Sequence, residues 1–162
     1  MNQIHFIAAD DHNGLNAGVM FLRVHPWTLN MLMRAMSYFY YDNGKHLFYE
    51  EQASINNILT VFNESEHYII VPQEWFNRYI KIKIDIENKQ KTQEIIDSHR
   101  GGLLIHLAGK SNKSKSAKVI RQKILKNPKL YTFLTNEQMR EQVMEYYKLP
   151  KQNQHDIKIH VN

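Results

Sequence analysis

His106 sits inside the apolar run LLIHLAG at 103–109. A histidine there either hydrogen-bonds to backbone within a core or ligates a metal, and the second role needs carboxylates beside it, because one imidazole does not hold a hard cation. EEQ at 50–52 offers adjacent carboxylates and an amide. Glu50 and Glu51 in the first turn of a helix complement its dipole, or they join Gln52, which carries a donor and an acceptor together, in facing a substrate. GLNAG at 14–18 surrounds Asn16 with small residues, either as a structural turn or as a turn that exposes the amide. Trp27, Trp75 and Phe76 suit stacking on sugar rings and equally suit a core. DDH at 10–12 follows the apolar stretch IHFIAA, but His12 stands where an Asp-x-Asp pair would carry its second carboxylate. Asp10 and Asp11 therefore read as a polar loop or flank.

These residues need elements to position them. GVMFLRV at 18–24 reads as a short buried strand. Pro26 then opens a helix of about four turns, with Leu29, Leu32, Met33, Met36, Phe39 and Tyr40 along one stripe and a stop at Asn43-Gly44. A second helix is expected over 49–62, with Ile55, Ile58, Leu59 and Phe62 on one face. HYIIVP at 67–72 and LLIHLAG at 103–109 read as strands, and QEWFNRYI from Gln73 as an aromatic-rich loop or short turn. The alternation at the start of 81–102 suits an edge strand before a polar loop. Two further helices, in SKSAKVIRQKILKN and NEQMREQVMEYYKL, flank Pro128, and a polar tail follows Pro150. Strands interleaved with helices give an α/β class with only three or four strands.

A chain of 162 residues with 43% hydrophobic content has enough material for a core. Cysteine is absent, which excludes a disulfide framework, a thiolate metal site and a cysteine nucleophile. No apolar run is long enough to span a bilayer and no signal peptide is visible. The net charge of +5 is local: residues 110–129 hold eight Lys/Arg and no acid, whereas residues 1–109 hold nine Lys/Arg against twelve Asp/Glu. That basic segment suits a phosphate, nucleic acid or anionic surface. Its aromatics do not interleave with its charges and no nucleic-acid motif is present, so a solvated basic helix is the simpler expectation.

In order, GLNAGVMFLRVHPW, EEQASINNIL, VPQEWFNRY and LLIHLAGK resemble a family of retaining glycosyltransferases. The family comprises the fungal α-galactosyl- and α-mannosyltransferases and the plant xyloglucan xylosyltransferases. The resemblance spans about residues 10 to 110. It implies a GT-A-like α/β/α sandwich that binds Mn²⁺ and a nucleotide sugar and passes a hexose to a glycan acceptor with retention of configuration. By that likeness His106 is a metal ligand, and Glu51 with Gln52 lies under the reacting face of the sugar. Asn16, Ala17 and Gly18 line the sugars, and Trp75, Phe76 and Asn77 border the acceptor groove. Gly109 and Lys110 meet the leaving diphosphate. Relatives carry a nucleotide-binding half with an Asp-x-Asp pair ahead of this region, behind a membrane anchor, and work in the Golgi lumen. The expectation is therefore a partial domain over 1–112, the C-terminal half of the fold, and a basic helical extension with a polar tail over 113–162. Such a chain is expected to be weakly active or inactive alone, unless a complementary glycosyltransferase chain supplies the other half. The alternative is a non-catalytic module that binds glycans or pairs with an active enzyme.

Overall fold

FIAADD folds as the central strand β1 (Phe6–Asp11), with Phe6, Ala8, Ala9 and Asp11 buried and Ile7 and Asp10 half-buried. The computed structural model describes residues 3–11, 13–41, 47, 50–77, 83–84, 91–92, 104–107, 111–130 and 134–157. Strand β2 (Gly14–Leu22) returns antiparallel to β1, pairing Asp11 with Gly14 across a two-residue connection. Gly14 has φ 107°, a value that the absence of a Cβ makes accessible. Strand β3 (Tyr68–Val71) runs parallel to β1 on its other side, giving the order β2-β1-β3.

The β1–β2 ladder is interrupted. Ala8 pairs with Met20 and Ala9 with Asn16, so Ala17, Gly18 and Val19 form a bulge in β2. Bulges bend a strand and re-aim its side chains, and they are over-represented beside active sites.

Between β2 and β3 the chain forms α1 (Pro26–Tyr41) and α2 (Glu50–Val61), which pack on one another and on the sheet. Phe6, Ala8 and Leu15 of the sheet meet Met31 and Ala35 of α1 and Ile55, Ile58 and Leu59 of α2. The α2 face matches its spacing as far as Leu59, while Phe62 is exposed with the Arg34 guanidinium 4.7 Å from its ring centroid. The α1 face differs from expectation. Thr28, Met31 and Ala35 turn inward, whereas Leu29, Met33, Met36 and Tyr40 are exposed, Met36 at 84%. A helix that is apolar nearly all round does not announce by spacing which stripe meets the sheet.

The strand expected to be buried at GVMFLRV is not: Val19 and Met20 are half-buried, the other residues of the run are exposed, and the strand ends at Leu22. Phe21 and Leu22 are exposed at the end of β2, which among the described residues has no strand beyond it.

Residues after Pro150 do not form a free tail. Past a 3₁₀ turn at Lys151–Asn153, His155 makes an antiparallel bridge with Ile70 of β3, and Ile157 is buried in the core cluster. The Lys151 ammonium donates to the Ser65 carbonyl at 3.0 Å.

The chain divides into two units, Met1–Gln73 with Pro150–Asn162 and Glu74–Leu149. The second unit takes in most of the one-turn helix α3 (Gln73–Phe76), a short antiparallel pair β4 (Lys83–Ile84) and β5 (Lys91–Thr92), and helices α4 (Lys113–Lys126) and α5 (Asn136–Lys148).

The sequence predicts a buried strand at 103–109. Among the described residues of that run, Ile105 makes only an isolated bridge and Leu104 is exposed. Ile105 and Leu107 instead share a hollow of about 240 Å³ with Ile120, Ile124 and Leu125 of α4. The cationic side chains of α4 are exposed around the buried Ile120, as a solvated basic helix requires. No described helix is long and apolar enough to cross a membrane.

Candidate functional site

Two of the sequence motifs meet where α2 crosses the start of β2. The Ala17 N–H donates to Gln52 Oε1 at 3.0 Å, and the Leu15 N–H donates to Asn56 Oδ1 at 3.2 Å. Gln52 and Asn56 are four residues apart, hence on one face of the helix. That face offers two amide oxygens to the strand N–H groups bordering the bulge.

Asn16 is buried at the same place. Its Nδ2 donates to Asp11 Oδ2 at 2.7 Å, and its Oδ1 accepts from the Gly18 N–H at 2.8 Å. Both ends of the amide thus work within the fold, shaping the bulge that carries Ala17 and Gly18. Asp11 also accepts from the Asn13 N–H at 2.7 Å, which closes the turn.

Asp10 and Asp11 are accordingly strand residues at the end of β1, not a polar loop. Asp11 is buried and accepts from both Asn13 and Asn16, so its carboxylate does not lack donors. Asp10 accepts from His155 Nδ1 at 2.8 Å, across 145 positions of sequence. His155 escapes sequence reasoning, since nothing local marks a partner 145 positions away, and Asp11 escapes it because a strand-end carboxylate reads as a loop residue until its nearby donors Asn13 and Asn16 are known. For Asn56, its spacing of four from Gln52 was the available signal.

Glu51 and Gln52 do not share one direction. Glu51 is exposed and lines a cavity of about 440 Å³ with Glu50, Ser54, Ile55 and the α1 residues Leu32, Ala35 and Met36. Successive helix residues differ by about 100° in direction, so Gln52 reaches β2 while Glu51 faces the space beside α1. This cavity is apolar except for the carboxylates and the Ser54 hydroxyl, which donates to the Glu50 carbonyl at 2.8 Å.

The other two motifs meet in the second unit. Asn77 is fully buried, and His106 Nδ1 donates to its Oδ1 at 2.6 Å. The Asn77 Nδ2 has no hydrogen-bond partner among the described residues. Such an unpaired buried donor costs about 1–3 kcal/mol. Phe76 is buried, and Trp75 packs edge-on against Tyr146 of α5 with ring centroids 5.3 Å apart. Gly109 and Lys110 lie outside the described residues.

Trp27 is held as a structural residue. Its indole N–H donates to Glu64 at 3.0 Å, the same oxygen that Arg34 meets at 2.9 Å. Its ring lies 5.0 Å from that of His67 and 5.7 Å from that of His5. His5 is buried and stacks on His25 at 3.8 Å. Its pKa falls below the ordinary 6.5, first through burial and then through repulsion by His25, His67 and Arg23.

For the expected Mn²⁺, the donor chemistry fits at one position only. An imidazole whose Nδ1 is anchored by an amide oxygen is a common arrangement for a histidine ligand. Among the described residues, however, no group of three or more His, Asp or Glu is placed to hold a metal ion.

No curated protein and no solved structure matches the chain at a significant level. A family model does, that of the galactosyl transferase GMA12/MNN10 family, over residues 1–117. The match runs from before β1 into α4, so it takes in both the Gln52–Ala17 and the Asn77–His106 contacts and leaves out α5 and the segment after Pro150. This mixed α/β chain, whose described residues form a three-stranded sheet, a two-stranded pair and five α-helices, belongs to the galactosyl transferase GMA12/MNN10 family of glycosyltransferases.

Proposed function

We propose that the chain serves hexosyl transfer from a nucleotide sugar to a glycan acceptor, with retention of configuration, as part of a GT-A-like α/β/α sandwich. Family membership supports transfer in general. The observation that carries the finer reading is the 3.0 Å bond between Gln52 and Ala17, which joins the acidic-Gln motif to the NAG turn. In this reading Gln52 lies under the reacting face of the donor sugar, whereas Glu51, which faces the cavity beside α1, does not share that position. Asn16 fixes the bulge, and Ala17 and Gly18 give the sugars close access to backbone. Trp75 and Phe76 border the acceptor, while Gly109 and Lys110 meet the leaving diphosphate, whose charge a lysine offsets.

His106 is one ligand of Mn²⁺ in this proposal. The further ligands come from residues beyond those described, in this or a complementary polypeptide. The ion, when bound, offsets diphosphate charge. The chain's own task is to hold imidazole, amide and backbone groups in fixed positions, which reduces reorganisation during reaction. A Golgi location accompanies the reading.

Calorimetric titration with a nucleotide sugar, with and without Mn²⁺, tests it. Wild type is expected to bind, His106→Ala to lose the Mn²⁺-dependent part, and Gln52→Ala to lose transfer to a glycan acceptor. Indifference of the wild-type chain to the nucleotide sugar in both conditions overturns the reading. Equal Mn²⁺ dependence in wild type and His106→Ala removes His106 from the metal.

A further inference from the structure

We propose that helix α4 is a membrane-surface contact: its outer face lies on an anionic phospholipid bilayer, held by attraction of lysines to headgroups and by two aliphatic side chains. The surface is independent of the transfer reading, since the family match ends at residue 117 and leaves most of α4 outside it.

The helix sorts its residues by face. Ser116, Ile120 and Ile124, at spacings of four, are the ones turned from solvent, and Ile120 and Ile124 share the hollow with Ile105 and Leu107. At about 100° per residue, the stripe opposite them is Lys115, Lys118, Gln122 and Lys126. All four are exposed, as are Lys113, Arg121, Lys123 and Lys129. Leu125, 65% exposed, and Val119, 38% exposed, border the lysine stripe on its two sides.

No neighbouring charge cancels this face. Residues 110–129 contain no acid. Among the described residues none of the cations from Lys113 to Lys129 makes an ion pair, either with Glu137, Glu141 and Glu145 of α5 or elsewhere.

Chemistry selects the partner. All of these cations but Arg121 are lysines, point charges that suit a diffuse anionic surface and lack the bidentate fit of a guanidinium. Leu125 and Val119 gain nothing beside a hydrated polyanion, whereas among lipid headgroups they leave water. No aromatic side chain of α4 offers a nucleobase a stacking partner. Because Ile120 and Ile124 are turned inward, α4 adsorbs by its charged side and does not insert a broad apolar face. Each cation near an anionic leaflet contributes about 1 kcal/mol, a factor of about five in partitioning.

Sedimentation of the whole chain with mixed phosphatidylserine–phosphatidylcholine vesicles, and with phosphatidylcholine vesicles alone, tests the proposal. Wild type is expected to bind only the anionic vesicles and to be released at 1 M salt, where the screening length is about 3 Å. A chain with Lys115→Gln, Lys118→Gln and Lys126→Gln, all at exposed positions, is expected to bind about a hundredfold more weakly with unchanged helical dichroism. Leu125→Gln, which leaves the charge unaltered, is expected to weaken vesicle binding severalfold and to leave affinity for a single-stranded RNA oligonucleotide as it was. Failure of wild type to bind the anionic vesicles overturns the proposal, and so does undiminished binding by the triple variant. Tighter binding to the RNA than to vesicles of equal anionic charge, with Leu125→Gln without effect on either, assigns the face to nucleic acid and overturns the membrane contact.

Discussion

Gln52 commits its side-chain oxygen to the half-buried Ala17 N–H, so the residue has a structural cost attached to any functional one. Gln52→Ala is expected to lower stability by about 1 kcal/mol in denaturant unfolding, and Gln52→Glu, which keeps an acceptor, by less. Equal losses in the two variants would mean that the bond contributes nothing. His5 predicts a pH response. Its folded pKa lies below the unfolded value of 6.5, so the unfolded chain takes up the proton first on acidification. The stability due to neutral His5 is complete above 6.5 and is lost as pH falls below it. His5→Phe, which keeps a ring against His25 and Trp27, is expected to flatten the acid-side fall in denaturant midpoint. At this scale the sequence made Asn16, Gln52 and His106 legible as polar groups in unusual company. It hid Asp11, because a strand-end carboxylate looks like a loop residue until its two donors are known.

Helices were the most legible elements. Both C-terminal helices form where their spacing predicts, and α5 begins with a capping box in which the Thr135 hydroxyl accepts from the Gln138 N–H and Gln138 accepts from the Thr135 N–H. Thr135→Ala is expected to lower stability by about 1 kcal/mol, read as a fall in helical signal at lower denaturant. A fall beyond about 2 kcal/mol would require a tertiary role for Thr135 that the cap does not explain. Strands were less legible. The run around His106 has a strand's composition, yet forms none among its described residues, because a strand needs a hydrogen-bonding neighbour and composition cannot supply one. The reverse held for Asp10 and Asp11. Poor strand formers by type, they complete β1 because β2 pairs with them residue for residue.

On the scale of the whole molecule, the segment after Pro150 belongs to the first unit although it lies some eighty positions from β3 in sequence. Its bridge to Ile70 covers the outer edge of β3, which would otherwise present unpaired backbone groups. Burial first, and the nearby Asp156 second, push the Tyr68 hydroxyl up to about 12. Ile157→Ala is expected to reduce stability by about 2–4 kcal/mol in urea unfolding. A neutral outcome would mean that the segment does not pack. Tyr68 adds an alkaline counterpart: its folded pKa exceeds the unfolded 10, so stability declines as pH rises from 10 toward 12, and Tyr68→Phe is expected to remove that decline.

The sequence by itself determined the mixed class, the helices and the four motifs that carry the family resemblance, because periodicity and short-range chemistry are written in neighbouring residues. Only the tertiary structure decided which stripe of α1 faces the sheet, that Asn16 works inward on a bulge, that Gln52 and Glu51 part company, and that Asn77 stands behind His106. Most of those depend on a partner distant along the chain, which no local pattern encodes; Asn16 meets residues only two and five positions away, and it is the pairing of β1 with β2 that brings them together.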